Sequence, residues 1–353
     1  MTSYTFFDGH NDTLLDLHMP ERGGGRSFFD HGTPQQGHID LPRARAAGLA
    51  GGFFAIFSPS QREANEFSNY KTAEGYAKPL PPPLPHSDAL AYTFGMMDRL
   101  FKIERDAEGA VKVVHTVNEI DACIRDDVLA MVLHFEGAEA IDADLHALEV
   151  FYRAGLRSLG MVWSRPNVFA HGVPLQYPST PDSGPGLTDA GKALVKVCNQ
   201  LGIMLDLSHL NEAGFWDVAK LSDAPLVATH SNVHALCTIG RNLTDKQLDA
   251  IRESDGMVGL NFAVGFLRED GTWDADTPLT TLVRHIDHLV DRIGIERVGL
   301  GSDFDGAKIP RAIGDVTGLP KLADALRDAG YDDDAMAKLT HQNWLRVLRK
   351  TWR

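Results

Sequence analysis

His10 and Asp12, in Phe6-Phe7-Asp8-Gly9-His10-Asn11-Asp12, stand two residues apart directly after two aromatics. In an extended strand, residues i and i+2 project to the same face, so the imidazole and the carboxylate would point together into one site. A polar turn at a strand end uses the same residue types, because Asp, Gly and Asn all favour turns. Further along the chain stand Glu136 in His134-Phe135-Glu136-Gly137 and His209 in Asp206-Leu207-Ser208-His209. His230 follows in Ala228-Thr229-His230-Ser231-Asn232, and Asp303 in Gly301-Ser302-Asp303-Phe304-Asp305-Gly306. Imidazole nitrogen and carboxylate oxygen are the ligands suited to Zn²⁺, and also to Mn²⁺, Co²⁺ and Fe²⁺. Two histidines, a histidine–aspartate pair and one glutamate exceed what a single tetrahedral catalytic zinc takes; they suit two ions if one carboxylate bridges them. Two ions about 3.5–4 Å apart lower the pKa of a shared water towards about 7, so the chemistry would be hydrolysis at neutral pH.

These side chains need elements that bring them together. Short apolar runs recur at 5–8, 51–57, 130–135, 158–162, 203–207, 226–228, 257–262 and 297–301. Several are apolar nearly throughout, as parallel strands covered on both faces are. The segments between them read as helices. The 187–201 stretch carries apolar residues at Leu194, Val195, Val197, Cys198 and Leu201, with Gly202 placed as a C-cap. Thr244 and Gln247 form a capping-box pattern opening a helix through Ile251, with Gly256 as its close. Another helix, with Leu289, Val290 and Ile293, precedes the last strand.

Eight strands alternating with helices predict a (β/α)₈ TIM barrel, with all 353 residues in a single domain. In that architecture catalytic groups sit at the C-terminal ends of the strands. His10 and Asp12 end strand one, Glu136 strand three, His209 strand five, His230 strand six and Asp303 strand eight, so all share one rim. The run Lys78-Pro79-Leu80-Pro81-Pro82-Pro83-Leu84-Pro85 fits neither a helix interior nor a central strand. It reads as part of a long βα loop around 58–86, with a helix resuming near 87–101; a proline-rich partner ligand is the alternative.

The net charge of −14 argues against nucleic acid or an anionic membrane as partner. Cys123, Cys198 and Cys237 are scattered, with no CxxC pair, which fits a reducing compartment. Neither a signal peptide nor an 18-residue apolar segment nor a lipid-anchor tail is visible, so the expectation is a cytoplasmic protein without a membrane anchor.

Taken in order, these motifs resemble the membrane dipeptidase (renal dipeptidase) family, a metallopeptidase branch of the amidohydrolase superfamily. The resemblance runs from Asp8-Gly9-His10-Asn11-Asp12 to His341-Gln342-Asn343-Trp344-Leu345-Arg346-Val347. It implies a homodimeric barrel with two Zn²⁺ per chain, Mn²⁺ or Co²⁺ as substitutes, cleaving dipeptides and tolerating a D-residue on the C-terminal side, as in L-Ala-D-Ala. By motif, His10, Asp12 and Glu136 would hold one ion, and Glu136 would bridge to a second held by His209 and His230. Many superfamily relatives bridge with a carboxylated lysine on strand four; Ser158-Leu159-Gly160-Met161-Val162-Trp163 has no lysine, which is consistent with Glu136 in that role.

Arg241, in Thr238-Ile239-Gly240-Arg241-Asn242-Leu243, matches the arginine that binds the dipeptide carboxylate; a surface helix-cap arginine is the structural alternative. Asp303 matches the aspartate that handles the proton. Asp305 would face the same way if the strand continued, but Gly306 marks a turn. The pattern departs at Trp163, where the family often has a histidine contacting the substrate carbonyl. Indole donates one hydrogen bond and carries no charge, so oxyanion stabilisation would fall on the metals or on His171 from the following loop. His134 is expected deeper on the face of Glu136, in a supporting role. His31, His38, His86, His115, His146, His285 and His288 read as ordinary loop or helix residues. An amidohydrolase acting on N-acyl-D-amino acids or lactones would use the same metal site. A catalytically silent binding module would be expected to have lost ligands or the proton carrier, and all are present.

Overall fold

The structure, a computed structural model, describes residues 4–22, 25–60 and 70–352. Its strands are β1 (Phe6–Asn11), β2 (Leu49–Phe57), β3 (Tyr76–Ala77), β4 (Val111–Val113), β5 (Leu129–Glu136) and β6 (Leu156–Gly160). They continue with β7 (Gln176–Tyr177), β8 (Met204–Asp206), β9 (Val227–Ala228), β10 (Met257–Leu260) and β11 (Val298–Leu300). Eight run in the order β1-β2-β5-β6-β8-β9-β10-β11 with parallel pairing. These are the eight strands expected from the apolar runs.

The two ends of this sheet meet. The Asp303 amide donates to the His10 carbonyl (3.0 Å) and the Asp12 amide to the Phe304 carbonyl (2.8 Å). The buried Asp8 carboxylate accepts from both the amide and the hydroxyl of Ser302, each at 2.8 Å. The result is a nearly closed (β/α)₈ barrel.

Alternation along each strand separates two apolar layers. Phe54 and Leu133 face outward to the helices, against residues such as Met96 and Leu100. Phe7, Phe53, Val132, Met204, Val227 and Met257 fill the barrel interior together with Trp344. Trp344 enters from the last helix, Asn343–Thr351; it is fully buried, and its indole N–H donates to the Leu300 carbonyl at 3.0 Å. Glycines make room for it: a Cβ on Gly9 would collide with its ring, and one on Gly259 would stand 2.9 Å away. With the lower barrel packed solid, polar residues are left to the C-terminal rim.

The helix signals hold with small shifts. The Thr188 hydroxyl caps Asp189–Leu201, which Gly202 ends at φ 72°. Thr244 and Gln247 form the reciprocal box before Asp245–Glu253. Gly256 lies beyond the cap residue Ser254; it is small because a Cβ there would meet the Leu226 carbonyl. Lys78 through Pro85 is neither helix nor strand, and the helix His86–Asp106 begins directly after it. Residues 61–69 of the expected long loop lie outside the described residues.

Sequence reading missed β4, which pairs with the first residues of β5, and the antiparallel pair β3–β7. That pair joins Cys237, Ile239, Ala263, Phe266 and Trp273 in a small apolar cluster tying together the loops after β2, β6, β9 and β10. Among the described residues no helix is long and apolar enough to cross a membrane.

Candidate active site

On β1 the aim of the side chains depends on an irregularity. Phe7 and Gly9 face the barrel interior, yet so do His10 and Asp12, which both have the opposite parity. The pairing of β1 with β2 shifts register between Asp8 and Asn11, and such a bulge turns the chain by one residue. On β5, Val132, His134 and Glu136 climb one face at the regular period of two. His209 (φ 69°) and Asp303 (φ 59°) both occupy the left-handed region, costly for residues other than glycine and frequent at functional sites. Gly306 is required beside them, because a Cβ would collide with the carboxylates of Asp12 and Asp303.

The structure brings all five expected ligands together. Glu136 Oε1 lies 3.8 Å from His10 Nε2, 3.1 Å from His209 Nε2 and 3.5 Å from His230 Nε2. Asp12 Oδ2 is 3.6 Å from His10 Nε2, and the Nε2 atoms of His209 and His230 are 3.2 Å apart. Three buried groups have ligand atoms within 4.8 Å of one another: Glu136 with His209 and His230, His10 with Asp12 and Asp303, and His10 with Asp206 and His230.

The rear nitrogens are held. His209 Nδ1 meets the Ser164 hydroxyl at 3.0 Å. His230 Nδ1 meets the Thr229 hydroxyl at 2.8 Å, which itself donates to Asp206 at 2.5 Å. Donation by each Nδ1–H leaves the Nε2 lone pair aimed at the cluster, the tautomer a metal ligand needs.

The donor set fits a divalent cation. Both nitrogens of His10 and Oδ1 of Asp12 are buried without a hydrogen-bond partner, each a cost of about 1–3 kcal/mol if nothing else meets them. Burial drives the pKa of His209 and of His230 far below the imidazole range. Burial also lowers that of His10, but the carboxylates of Glu136, Asp12 and Asp303 outweigh it and lift it to about 10. Glu136 is pushed well up, by burial and then by Asp12. Carboxylates are thus crowded where two imidazoles stay neutral, and a cation between them would answer both. Three imidazoles with carboxylates suit zinc, manganese or cobalt.

Asp303 stands at the edge of the cluster, its pKa raised by burial, with Oδ2 accepting from the Asn261 amide at 2.8 Å. Asp305 turns away and accepts from the Thr13 hydroxyl at 2.8 Å and from the His38 amide. Arg241 is no surface residue: it is 3% exposed. Its Nη1 donates to the Ser231 hydroxyl and its Nη2 to the His230 carbonyl, both at 2.8 Å, while Nε has no partner. Burial pushes its pKa down to about 10, so it stays charged at neutral pH.

Above the cluster opens a cavity of about 580 Å³. Asp12, Glu136, His209 and Asp303 line its floor; Phe57, Trp163, Leu175, Phe266 and Trp273 line its walls; Arg22, Lys78 and Lys308 also face it. Arg241 lies behind this lining, its guanidinium carbon 5.8 Å from the centre of the Phe266 ring. His171 is not among the lining residues, whereas Trp163 is.

A sequence profile of the membrane dipeptidase family (peptidase family M19) matches residues 1–352. The chain belongs to the membrane dipeptidase family. The crystal structure of a metallo peptidase from Rhodobacter sphaeroides, liganded with a phosphinate mimic of the dipeptide L-Ala-D-Ala, is similar at a TM-score of 0.95. It shares 52% identity, covering 99% of this chain and 100% of that one. The structure of dipeptidase AC is similar at a TM-score of 0.93 and 51% identity, covering 99% of each chain. Dipeptidase tcpJ of Claviceps purpurea (strain 20.1) is 25% identical over 347 residues, 97% of this chain and 76% of its own length. As a member of this family the chain is a metallo-dipeptidase.

Around this dipeptidase site, sequence reasoning missed the residues that hold the expected ligands. Asp206 accepts from the amides of Ser208 (3.0 Å) and Thr229 (2.8 Å) and underlies both His134 and His230. Ser164, Thr229 and Asn261 act beside it. Only the position of Asp206 three residues before His209, at the end of an apolar run, offered a signal. His134 sits as expected, deeper in the barrel, bonded to Ser158 at 2.9 Å with its ring 5.4 Å from that of His10.

Proposed function

We propose that this metallo-dipeptidase is a binuclear zinc enzyme, one barrel domain throughout, that hydrolyses short dipeptides, L-Xaa-D-Xaa substrates such as L-Ala-D-Ala among them. The observation carrying this reading is the convergence of three imidazole Nε2 atoms on the one Glu136 oxygen, at 3.1 to 3.8 Å. His10, Asp12 and Glu136 would hold one ion, and Glu136, His209 and His230 the other. Bound there, two divalent ions would activate a water and polarise the scissile carbonyl.

The chain's own residues do the rest. Ser164 and Thr229 fix the imidazoles of His209 and His230 with their Nε2 lone pairs forward. Asp303, at the edge of the cluster and held by Asn261, takes the proton from the attacking water and returns it to the leaving amine. Arg241 is a buried cation whose N–H groups meet only neutral acceptors among the described residues, which leaves its charge for the dipeptide carboxylate. The aromatic walls exclude water from the reacting bond. A cytoplasmic homodimer completes the proposal; the three buried free thiols support the compartment.

The test is a steady-state screen of L,L and L,D dipeptides, an N-acyl-D-amino acid and a lactone on zinc-loaded protein. L-Ala-D-Ala should rank among the better substrates. Turnover confined to the acylated amino acid or the lactone would refute the substrate class.

A further inference from the structure

We infer that Phe57 and Trp163 form the subsite for the side chain of the dipeptide's N-terminal residue, and that this subsite selects large apolar side chains. The inference rests on the dipeptidase reading above and on Arg241 as the carboxylate anchor. Phe57 ends β2 and Trp163 follows β6. Their rings lie 5.1 Å apart, both half-buried and both lining the cavity, and the indole stands 5.9 Å from the His209 ring. Arg241 comes from the opposite direction, after β9, against Phe266 from the loop after β10. In barrel order β2 and β6 flank β5, which carries Glu136, while β9 and β10 lie beyond β8. A dipeptide with its carboxylate towards Arg241 and its scissile bond over Glu136 therefore extends its N-terminal residue towards Phe57 and Trp163.

The wall is braced from behind. Arg165 is fully buried and donates to Glu139 (3.0 and 3.1 Å), to the Ser58 carbonyl (2.7 Å) and to the Ser60 hydroxyl (2.9 Å). It thus clamps the segment after β6 onto the one after β2, with its guanidinium carbon 5.7 Å from the Phe57 ring and 5.9 Å from that of Trp163. Ser164, between Trp163 and Arg165, fixes His209. A wall ordered before binding loses little freedom when substrate arrives. The cavity, about 580 Å³, is of a size that holds ligands much larger than a dipeptide with two methyl side chains.

The experiment compares kcat/KM for L-Leu-D-Ala, L-Ala-D-Leu and L-Ala-D-Ala in the zinc-loaded wild type, Trp163→Ala, Phe57→Leu and Trp163→Phe, with metal content read alongside. One methylene in an apolar pocket discriminates by about 10- to 200-fold, so the wild type should favour L-Leu-D-Ala over L-Ala-D-Ala at least about tenfold. Trp163→Ala and Phe57→Leu should each shrink that ratio, Trp163→Phe should largely keep it, and the ratio of L-Ala-D-Leu to L-Ala-D-Ala should move little in any. A wild-type ratio near one, or an equal ratio in whichever of the first two variants folds, overturns the subsite while leaving the dipeptidase reading intact. Absence of any dipeptide hydrolysis by the wild type overturns both.

Discussion

Arg241→Met tests the proposed substrate class at its proposed carboxylate anchor. The guanidinium is almost completely buried and bonded only to Ser231 and the His230 carbonyl, so the described chain leaves its charge without a carboxylate in contact. Burial brings its pKa down to about 10, which keeps it protonated at neutral pH. Removing one member of a desolvated charge pair costs about 2–5 kcal/mol, mostly by stranding the other. At about 1.4 kcal/mol per tenfold, kcat/KM on L-Ala-D-Ala should fall by about thirtyfold to a few thousandfold.

The variant also releases the His230 carbonyl, so part of any loss can come from a displaced histidine. A cycle removes that part. Wild type and Arg241→Met are each assayed on L-Ala-D-Ala and on its C-terminal amide, with zinc content measured in both. The wild type should lose at least about thirtyfold on amidation, and the variant much less. Arg241→Lys should rescue poorly, because a single ammonium cannot reproduce two fixed N–H directions while presenting a third. Equal losses on amidation in the two proteins would refute the carboxylate role, and the dipeptide assignment would then rest on the family alone.

Metal analysis of carefully loaded protein should find two ions per chain, with chelation abolishing activity and Zn²⁺, Mn²⁺ or Co²⁺ restoring it; one ion, unchanged in His209→Ala, would exclude the binuclear site. Asp303→Asn should keep its metal yet lose about 10²–10⁴-fold in kcat, whereas loss of an ion would make Asp303 a ligand. His285, buried, accepts the Val233 amide and donates to the Leu267 carbonyl, and burial lowers its pKa from about 6.5 to about 4. The unfolded chain therefore takes up the proton first as pH falls, and about 3 kcal/mol of stability is lost between pH 6.5 and 4. Urea titrations across that range should show a shallower decline in His285→Gln than in wild type, and parallel declines would show that His285 does not titrate this way.

The candidate ligands were legible because each ends an apolar run, and a barrel gathers strand ends whatever lies between them. Period-two alternation then predicted that His134 would lie below Glu136, and the regular β5 obeys it. Their hydrogen-bond partners were less legible. Asp206, Ser164, Thr229 and Asn261 are common polar residues whose role exists only through a partner on a neighbouring strand or loop. For Arg241 a surface helix cap was the lesser alternative, and its burial removes it. His285, read as an ordinary helix residue, joins the helix Leu279–Ile293 to Val233 after β9 and to Leu267 after β10, one hydrogen bond to each.

The first strand shows how the extent of an element can escape the sequence even where its motif is plain. The apolar run that marks it in the sequence ends at residue 8. In the structure β1 runs through Gly9 to Asn11. The glycine is there because Trp344, from the far end of the chain, occupies the space its side chain would need. The shift in pairing just beyond it then brings His10 to the same interior as Phe7, although their positions in a regular strand would put them on opposite faces. His10 and Asp12, two residues apart, both reach the interior, and the Asp12 amide still bonds across the barrel seam to the Phe304 carbonyl. The i, i+2 argument therefore anticipated that the two side chains share one cluster, while their relation to the core beneath was set by a contact that spacing along the chain does not encode.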